Sequence, residues 1–334
     1  MRFATTLLAS LAIALTASAA PPDESKVKLD DEVKKATEKA YEWLKAKQND
    51  DGSWGDSRYP HNTAITGFTL LAYMSQGNVP NQGKYGPEVA KGIRFIISSA
   101  REQDGYLQGR SGGNMYCHGM STLVLSQAWG ATKDDEIKKT LKRAVDLIIR
   151  SQSPEGGWRY SPQPSGADIS VTIMQVMALR GAKDSGLHVP DKTMKNALEY
   201  INKCYDPGSG GYCYMPQTRA PGFARTAAGV CVVKLTGEYD KNVDKSVEFM
   251  KSQMDFPREH YWYGHYYASH AMHQVGGEAW EKYYGSMRKR LLDTQNAEGY
   301  WDKPVEHSAG VVYSTAIATI ILSVPADYLP IFQR

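Results

Sequence analysis

A single kind of turn recurs through the 334-residue chain: glutamine, a short polar stretch, glycine, then an aromatic residue. The clearest copies are Gln48-Asn49-Asp50-Asp51-Gly52-Ser53-Trp54, Gln152-Ser153-Pro154-Glu155-Gly156-Gly157-Trp158 and Gln295-Asn296-Ala297-Glu298-Gly299-Tyr300-Trp301. Weaker ones stand at Gln103-Asp104-Gly105-Tyr106 and Gly210-Gly211-Tyr212, and a degenerate sixth runs from Gln253 to Trp262. Successive aromatics at positions 54, 106, 158, 212, 262 and 301 give a period of about fifty residues, the length of one antiparallel helix pair.

The stretch before each turn is amphipathic. Leu141, Ala144, Val145 and Ile148 share a face, as do Met194, Ala197, Leu198 and Ile201, with lysines and acids between them. The stretch after each turn is different: Val311, Val312, Ala316, Ile317, Ala318, Ile320, Ile321 and Leu322 leave almost no polar stripe, and Val171 to Leu179 and Thr122 to Leu125 are similar. A helix apolar nearly all round must be covered on every side. Outer amphipathic helices around inner apolar ones predict an all-α fold, an α/α toroid: a closed double ring of five to six helical hairpins. An open array would expose the inner faces at its ends.

Each turn has a structural job first. Glycine takes the left-handed conformation that ends a helix. Trp54, Trp158 and Trp301 can then pack over the helix ends, while Gln48, Gln152 and Gln295 bond backbone groups left unpaired there. Contact with a substrate is the alternative use of the same residues.

The N-terminus reads as a signal peptide over residues 1–19, with Arg2, the apolar run Leu7 to Leu15 and the exit Ala17-Ser18-Ala19. Cleavage would leave Ala20 leading, and the expected product is exported, periplasmic or extracellular. An uncleaved anchor is the other reading, but the run is shorter than the roughly 20 residues of a membrane helix. Residues 20–31 form a polar leader and 32–334 the toroid domain. No later stretch predicts a transmembrane span. With 39 basic and 36 acidic residues the formal charge is +3, no footprint for nucleic acid. Cys204 and Cys213 bracket a short turn that a disulfide could close, whereas Cys117 and Cys231 lie on apolar helices as expected buried thiols.

The glutamine-to-tryptophan turns resemble the QW repeats of squalene and oxidosqualene cyclases, and the whole pattern is similar to the helix-pair ring of protein prenyltransferase β subunits. The likeness extends to exported bacterial prenyltransferase or squalene-oxidase repeat proteins, through segments such as Met115 to Leu123, Asp168 to Thr172 and Tyr313 to Ala316. The resemblance implies a terpenoid-cyclase-like toroid. Cyclases of this kind carry Asp-x-Asp-Asp; the nearest segment here is Gly166-Ala167-Asp168-Ile169-Ser170, a single acid. The Asp-x-Cys pair that holds zinc in prenyltransferases does not occur, nor does the Gly-Cys-Gly-Glu-Gln thioester of complement-type rings.

Inner helices that begin after the turns should present their first residues at one mouth of the ring. That gathers Asp168, His118, His265 and Tyr266 as catalytic candidates, and His61, Asn62, Tyr116, Arg225, Trp262 and Tyr313 as ligand-binding candidates. Asp168 fits equally as a helix cap, and each histidine as a structural residue. His265, His270 and His273 form the densest histidine cluster, with a spacing open to zinc but no acid inside it. No metal ligand set or cofactor is predicted. Three functions remain: a hydrophobic small molecule or lipid held in an apolar cavity, as substrate or cargo; a structural or partner-binding repeat protein with the cavity packed shut; and a polysaccharide lyase or hydrolase with an open polar groove lined by Arg225, His118 and Tyr266.

Overall fold

A computed structural model describes residues 27–56, 58–109, 112–218, 220–237, 242–254, 260–304 and 309–333. The expected signal peptide over 1–19 lies outside these, as does part of the degenerate turn between Gln253 and Trp262. Among the described residues there are twelve α-helices in six hairpins. The outer members are α1 (Asp31–Ala46), α3 (Gly86–Ser98), α5 (Asp135–Arg150), α7 (Asp191–Lys203), α9 (Val243–Gln253) and α11 (Gly277–Thr294). The inner members are α2 (Thr63–Met74), α4 (Met115–Thr132), α6 (Ile169–Asp184), α8 (Phe223–Leu235), α10 (Tyr261–Val275) and α12 (Gly310–Ser323). Each inner helix packs on the next, and α12 returns to α2 while α11 and α12 meet α1, so the ring closes.

The burial pattern follows the sequence. Helix α1 buries Val33, Ala36, Thr37, Ala40, Tyr41 and Leu44, one stripe at three- and four-residue spacing, whereas every residue of α2 is buried. Three of the inner helices start at a side-chain cap: Asn62 accepts from the Ala64 and Ile65 N–H groups, Asn114 from Tyr116 and Cys117, and Asp168 from Val171.

The repeated turns join three elements at once. The indole Nε1 of Trp54, Trp158 and Trp301 donates to Leu44, Ile148 and Leu291 carbonyls in the last turn of the outer helix, at 2.6, 2.8 and 2.8 Å. The backbone N–H of the same tryptophans donates to Thr66, Thr172 and Thr315 on the inner helix, and Tyr212 does so to Thr226. The glutamines bond differently from the sequence expectation. Gln152 Nε2 donates to Gly156 O at 2.7 Å within its turn and to Thr193 O at 2.9 Å on the next outer helix. Gln48 reaches Glu88 likewise, and Gln295 reaches Ala36, which ties the last repeat to the first. Glutamine is therefore the lateral link, and tryptophan serves the helix end. Gln152→Ala removes two such bonds and leaves buried carbonyls short of a donor. It should cost about 1 to 2 kcal/mol, measurable as a lower denaturation midpoint; an unchanged midpoint would deny the link.

The end of the ring opposite the inner-helix N-termini is shut by the chain's own tail. Short 3-10 turns at Val324–Ala326 and Pro330–Phe332 follow α12. Phe332 stacks on His270 with ring centroids 3.5 Å apart, Gln274 Nε2 donates to Phe332 O, and Ile331 N–H points to Gln127 Oε1. Cys204 and Cys213 are thiols, not a disulfide; the Cys213 N–H donates to Cys204 O at 2.8 Å. All four cysteines are buried.

Candidate functional site

With the tail closing one end, a cavity of about 850 Å³ opens at the other, where the inner helices begin. Its volume lies within the range of small-molecule sites. The inner helices supply apolar lining: Ile65 and Phe68 from α2, Val171 from α6, Phe223 from α8, with the ring of Tyr313 from α12. The Phe68 ring meets Tyr313 edge-on at 5.2 Å and Tyr266 at 5.1 Å, so the apolar floor is itself packed aromatic. Nearer the mouth the lining turns polar, with Tyr59, Asn114, Tyr160, Tyr214 and His260 from the loops and caps. Tyr160 and Tyr214 hydroxyls pair at 3.0 Å.

Electrostatically the lining is one-sided. Among the described residues that line the cavity none carries a carboxylate, and Arg225 is the one permanent cation. Its Nη2 donates to Ala220 O at 2.8 Å, while its Nε is buried without a partner. The rings of Tyr116 and Tyr263 stand 6.0 Å apart and those of Tyr263 and Tyr267 4.9 Å, with Tyr267 interacting with both of the others. Burial pushes the Tyr116 and Tyr263 hydroxyls up, so both stay protonated.

Of the residues singled out in the sequence, Asn62, Tyr116, Arg225 and Tyr313 meet at this cavity. The others do not line it. Asp168 is wholly buried as the cap of α6: its Oδ1 accepts from Val171 N–H at 3.0 Å, and its own N–H donates to Trp158 O. Burial raises its carboxyl above the usual range. His118 is wholly enclosed, with Nδ1 accepting from Leu107 N–H at 3.0 Å and Nε2 3.1 Å from Ala144 O. His265 is buried against Tyr261 and Phe223, its Nδ1 3.1 Å from the Tyr283 hydroxyl. Tyr266 sits below the cavity among Phe68, Tyr267 and His270, and Trp262 donates to Pro304 O. His61 stands outside it. Its Nδ1 lies 2.9 Å from both Ser53 Oγ and Asp51 Oδ2. The Ser–His–Asp composition suggests a nucleophile relay, but one ring nitrogen faces both partners, whereas a relay needs the two nitrogens divided between them. The cluster locks the Gly52 turn instead.

Tyr59, Tyr160 and Tyr214 at the rim were not anticipated. Tyr160 and Tyr214 each follow a repeat aromatic by two residues, Trp158 and Tyr212. That second aromatic was the available signal. His265, His270 and His273 form no metal-holding group; none of three or more His, Cys, Asp or Glu side chains exists among the described residues. No described helix is long and apolar enough to cross a membrane.

No protein-family model matches the sequence. Over 134 residues, 38% of the chain, it is 29% identical to lanosterol synthase of Aspergillus fumigatus, and that match spans 17% of the enzyme's length. Solved structures superpose over nearly the whole ring. A type II terpene cyclase from Scytonema, in complex with geranylgeranyl dihydroxybenzoate, aligns with a TM-score of 0.65 at 11% identity, covering 89% of this chain and 98% of that one. The fold is a squalene cyclase-like α/α toroid. The toroid is also shared by an α-1,6-mannanase of Salegentibacter sp. HEL1_6 in complex with α-1,6-mannotriose, at a TM-score of 0.68 and 9% identity, covering 88% of this chain and 99% of that one. Rings of this shape therefore serve both terpenoid and glycan chemistry, and only the toroid's own cavity can choose between them.

Proposed function

We propose that the toroid binds a hydrocarbon-rich, isoprenoid- or lipid-like molecule in the central cavity. The observation that carries this reading is a cavity with apolar lining from Ile65, Phe68, Val171 and Phe223 on the inner helices, tyrosines and amides from the loops and caps at the mouth, and a far end closed by the C-terminal tail. A long apolar chain entering from the mouth gains burial along its length and leaves a polar end at the rim. The Scytonema cyclase, whose complex holds a geranylgeranyl compound, supports the reading by analogy of fold. Proton-driven cyclisation would need a reachable carboxylic acid, and the described lining offers none. The reading is thus binding of such a ligand, with no acid step assigned to the described residues.

A glycan site is the second reading, favoured by the rim tyrosines, whose faces suit sugar rings. It would place the pair of carboxylates of a glycosidase across the cavity, and again no described lining residue supplies one. Titration of the purified protein with geranylgeraniol and with α-1,6-mannotriose, followed by intrinsic fluorescence, separates the two. Saturable binding of the alcohol alone is expected. Saturation by the trisaccharide alone would replace the lipid reading with the glycan one, and saturation by neither would remove both. Export follows from residues 1–19, which read as a signal sequence. N-terminal sequencing of the mature protein should start at Ala20, and an intact Met1 would overturn it.

A further inference from the structure

We infer that the ligand carries a negatively charged head, of the carboxylate class, and that Arg225 receives it. This deepens the lipid-binding reading and rests on it. Arg225 lines the cavity from the first turn of α8, and one of its hydrogen-bonding groups, Nη2, is spent on Ala220 O. Its Nε is buried with no partner. None of the ion pairs among the described residues includes Arg225, and none of the described lining residues carries a carboxylate. The Arg225 side chain is partly exposed at the mouth, so its remaining N–H groups are open to an incoming anion. A carboxylate supplies that anion and presents two oxygens to the planar fork.

Tyr116 and Tyr263 line the same cavity, and none of the described lining residues carries a carboxylate to compete for the guanidinium. The apolar wall of Ile65, Phe68 and Phe223 takes the chain behind the head.

Three probes that differ only in the head test this: geranylgeranoic acid, geranylgeraniol and geranylgeranyl diphosphate, titrated at neutral pH against the full chain. The acid should bind about ten-fold or more tightly than the alcohol, the gain typical of a charge-assisted hydrogen bond. Arg225→Gln keeps a donor for Ala220 O but removes the charge; it should bring acid and alcohol to equal affinity. Arg225→Lys should keep a part of the preference. Equal binding of acid and alcohol by the unmodified protein overturns the inference while the lipid reading stands, and that comparison needs no variant to fold. Tightest binding of the diphosphate overturns the carboxylate assignment. Failure of all three to bind removes the lipid reading and the inference together.

Discussion

Gly156→Ala is expected to destabilise the toroid by about 3 kcal/mol or more, from left-handed backbone strain and overpacking together. Gly156 has φ +102°, a conformation that side chains other than glycine rarely adopt. A Cβ built there lies 2.4 Å from Asn196 O and 3.0 Å from Asn196 C, both backbone atoms of outer helix α7. Backbone inside a helix cannot rotate away as a side chain can, so α7 must retreat as a body. The Gln152 bond to Thr193 on the same helix then stretches. The contact recurs around the ring: Gly52 would meet Lys91 O at 2.4 Å on α3, and Gly299 would meet Lys39 O at 2.5 Å on α1. The same change at either glycine should act alike. Gly130, on the exposed side of α4 with nothing within 4 Å of its Cβ, is the control. Gly130→Ala should stabilise by about 0.5 to 1 kcal/mol through helix propensity. Equal midpoints for Gly156→Ala and the parent protein in denaturant would show that the turns do not set the spacing between repeats.

That contact also marks where the sequence stopped being legible. The ring was readable because its period is written in residues whose work is local: an indole reaching back ten residues to the helix it follows, a threonine on the next helix meeting the tryptophan N–H. The lateral half was not. That Gln152 reaches α7, or that Gly156 abuts Asn196, depends on which outer helix lies alongside, and nothing inside one repeat states it. The site divides in the same way. Position along the chain gives height on an inner helix, and of the residues near the caps Asn62, Tyr116 and Arg225 line the cavity. It does not give azimuth. On α10, successive residues turn by about 100°, so Tyr263 faces the cavity while its neighbour Trp262 turns away to Pro304 O and Tyr266, a turn further along, drops into the floor. A histidine or an acid drew notice by its chemistry and carried no information on which way it pointed; His118 and Asp168 face the packing between helices.

Those buried histidines fix the pH response. The Nδ1 of His118 accepts from Leu107 N–H while Nε2 faces Ala144 O, which selects the neutral ring with its proton on Nε2. A second proton would set an N–H against an N–H. Burial accordingly pushes His118 down to about 4, with the Ala144 carbonyl opposing weakly, and burial with the Arg290 charge pushes His265 down to about 3. Both folded values lie below the roughly 6.5 of an unfolded histidine. The stabilisation is therefore whole above about pH 6.5 and drains away as pH falls, through about 4 for His118 and about 3 for His265. For His118 the loss reaches about 3 kcal/mol. With His265 added, it becomes comparable to the roughly 5 to 15 kcal/mol that hold a domain folded. Asp168 acts oppositely: with its carboxyl raised by burial, the folded chain binds that proton more readily and regains a part of the loss at the acid end. Denaturant midpoints at pH 7, 5.5 and 4 should fall steadily. His118→Gln, which keeps an acceptor and a donor but cannot charge, should be less stable at pH 7 and lose less between pH 6.5 and 4. Parallel curves for the two proteins would mean that His118 titrates alike in both states, which its enclosure between Leu107 and Ala144 does not allow.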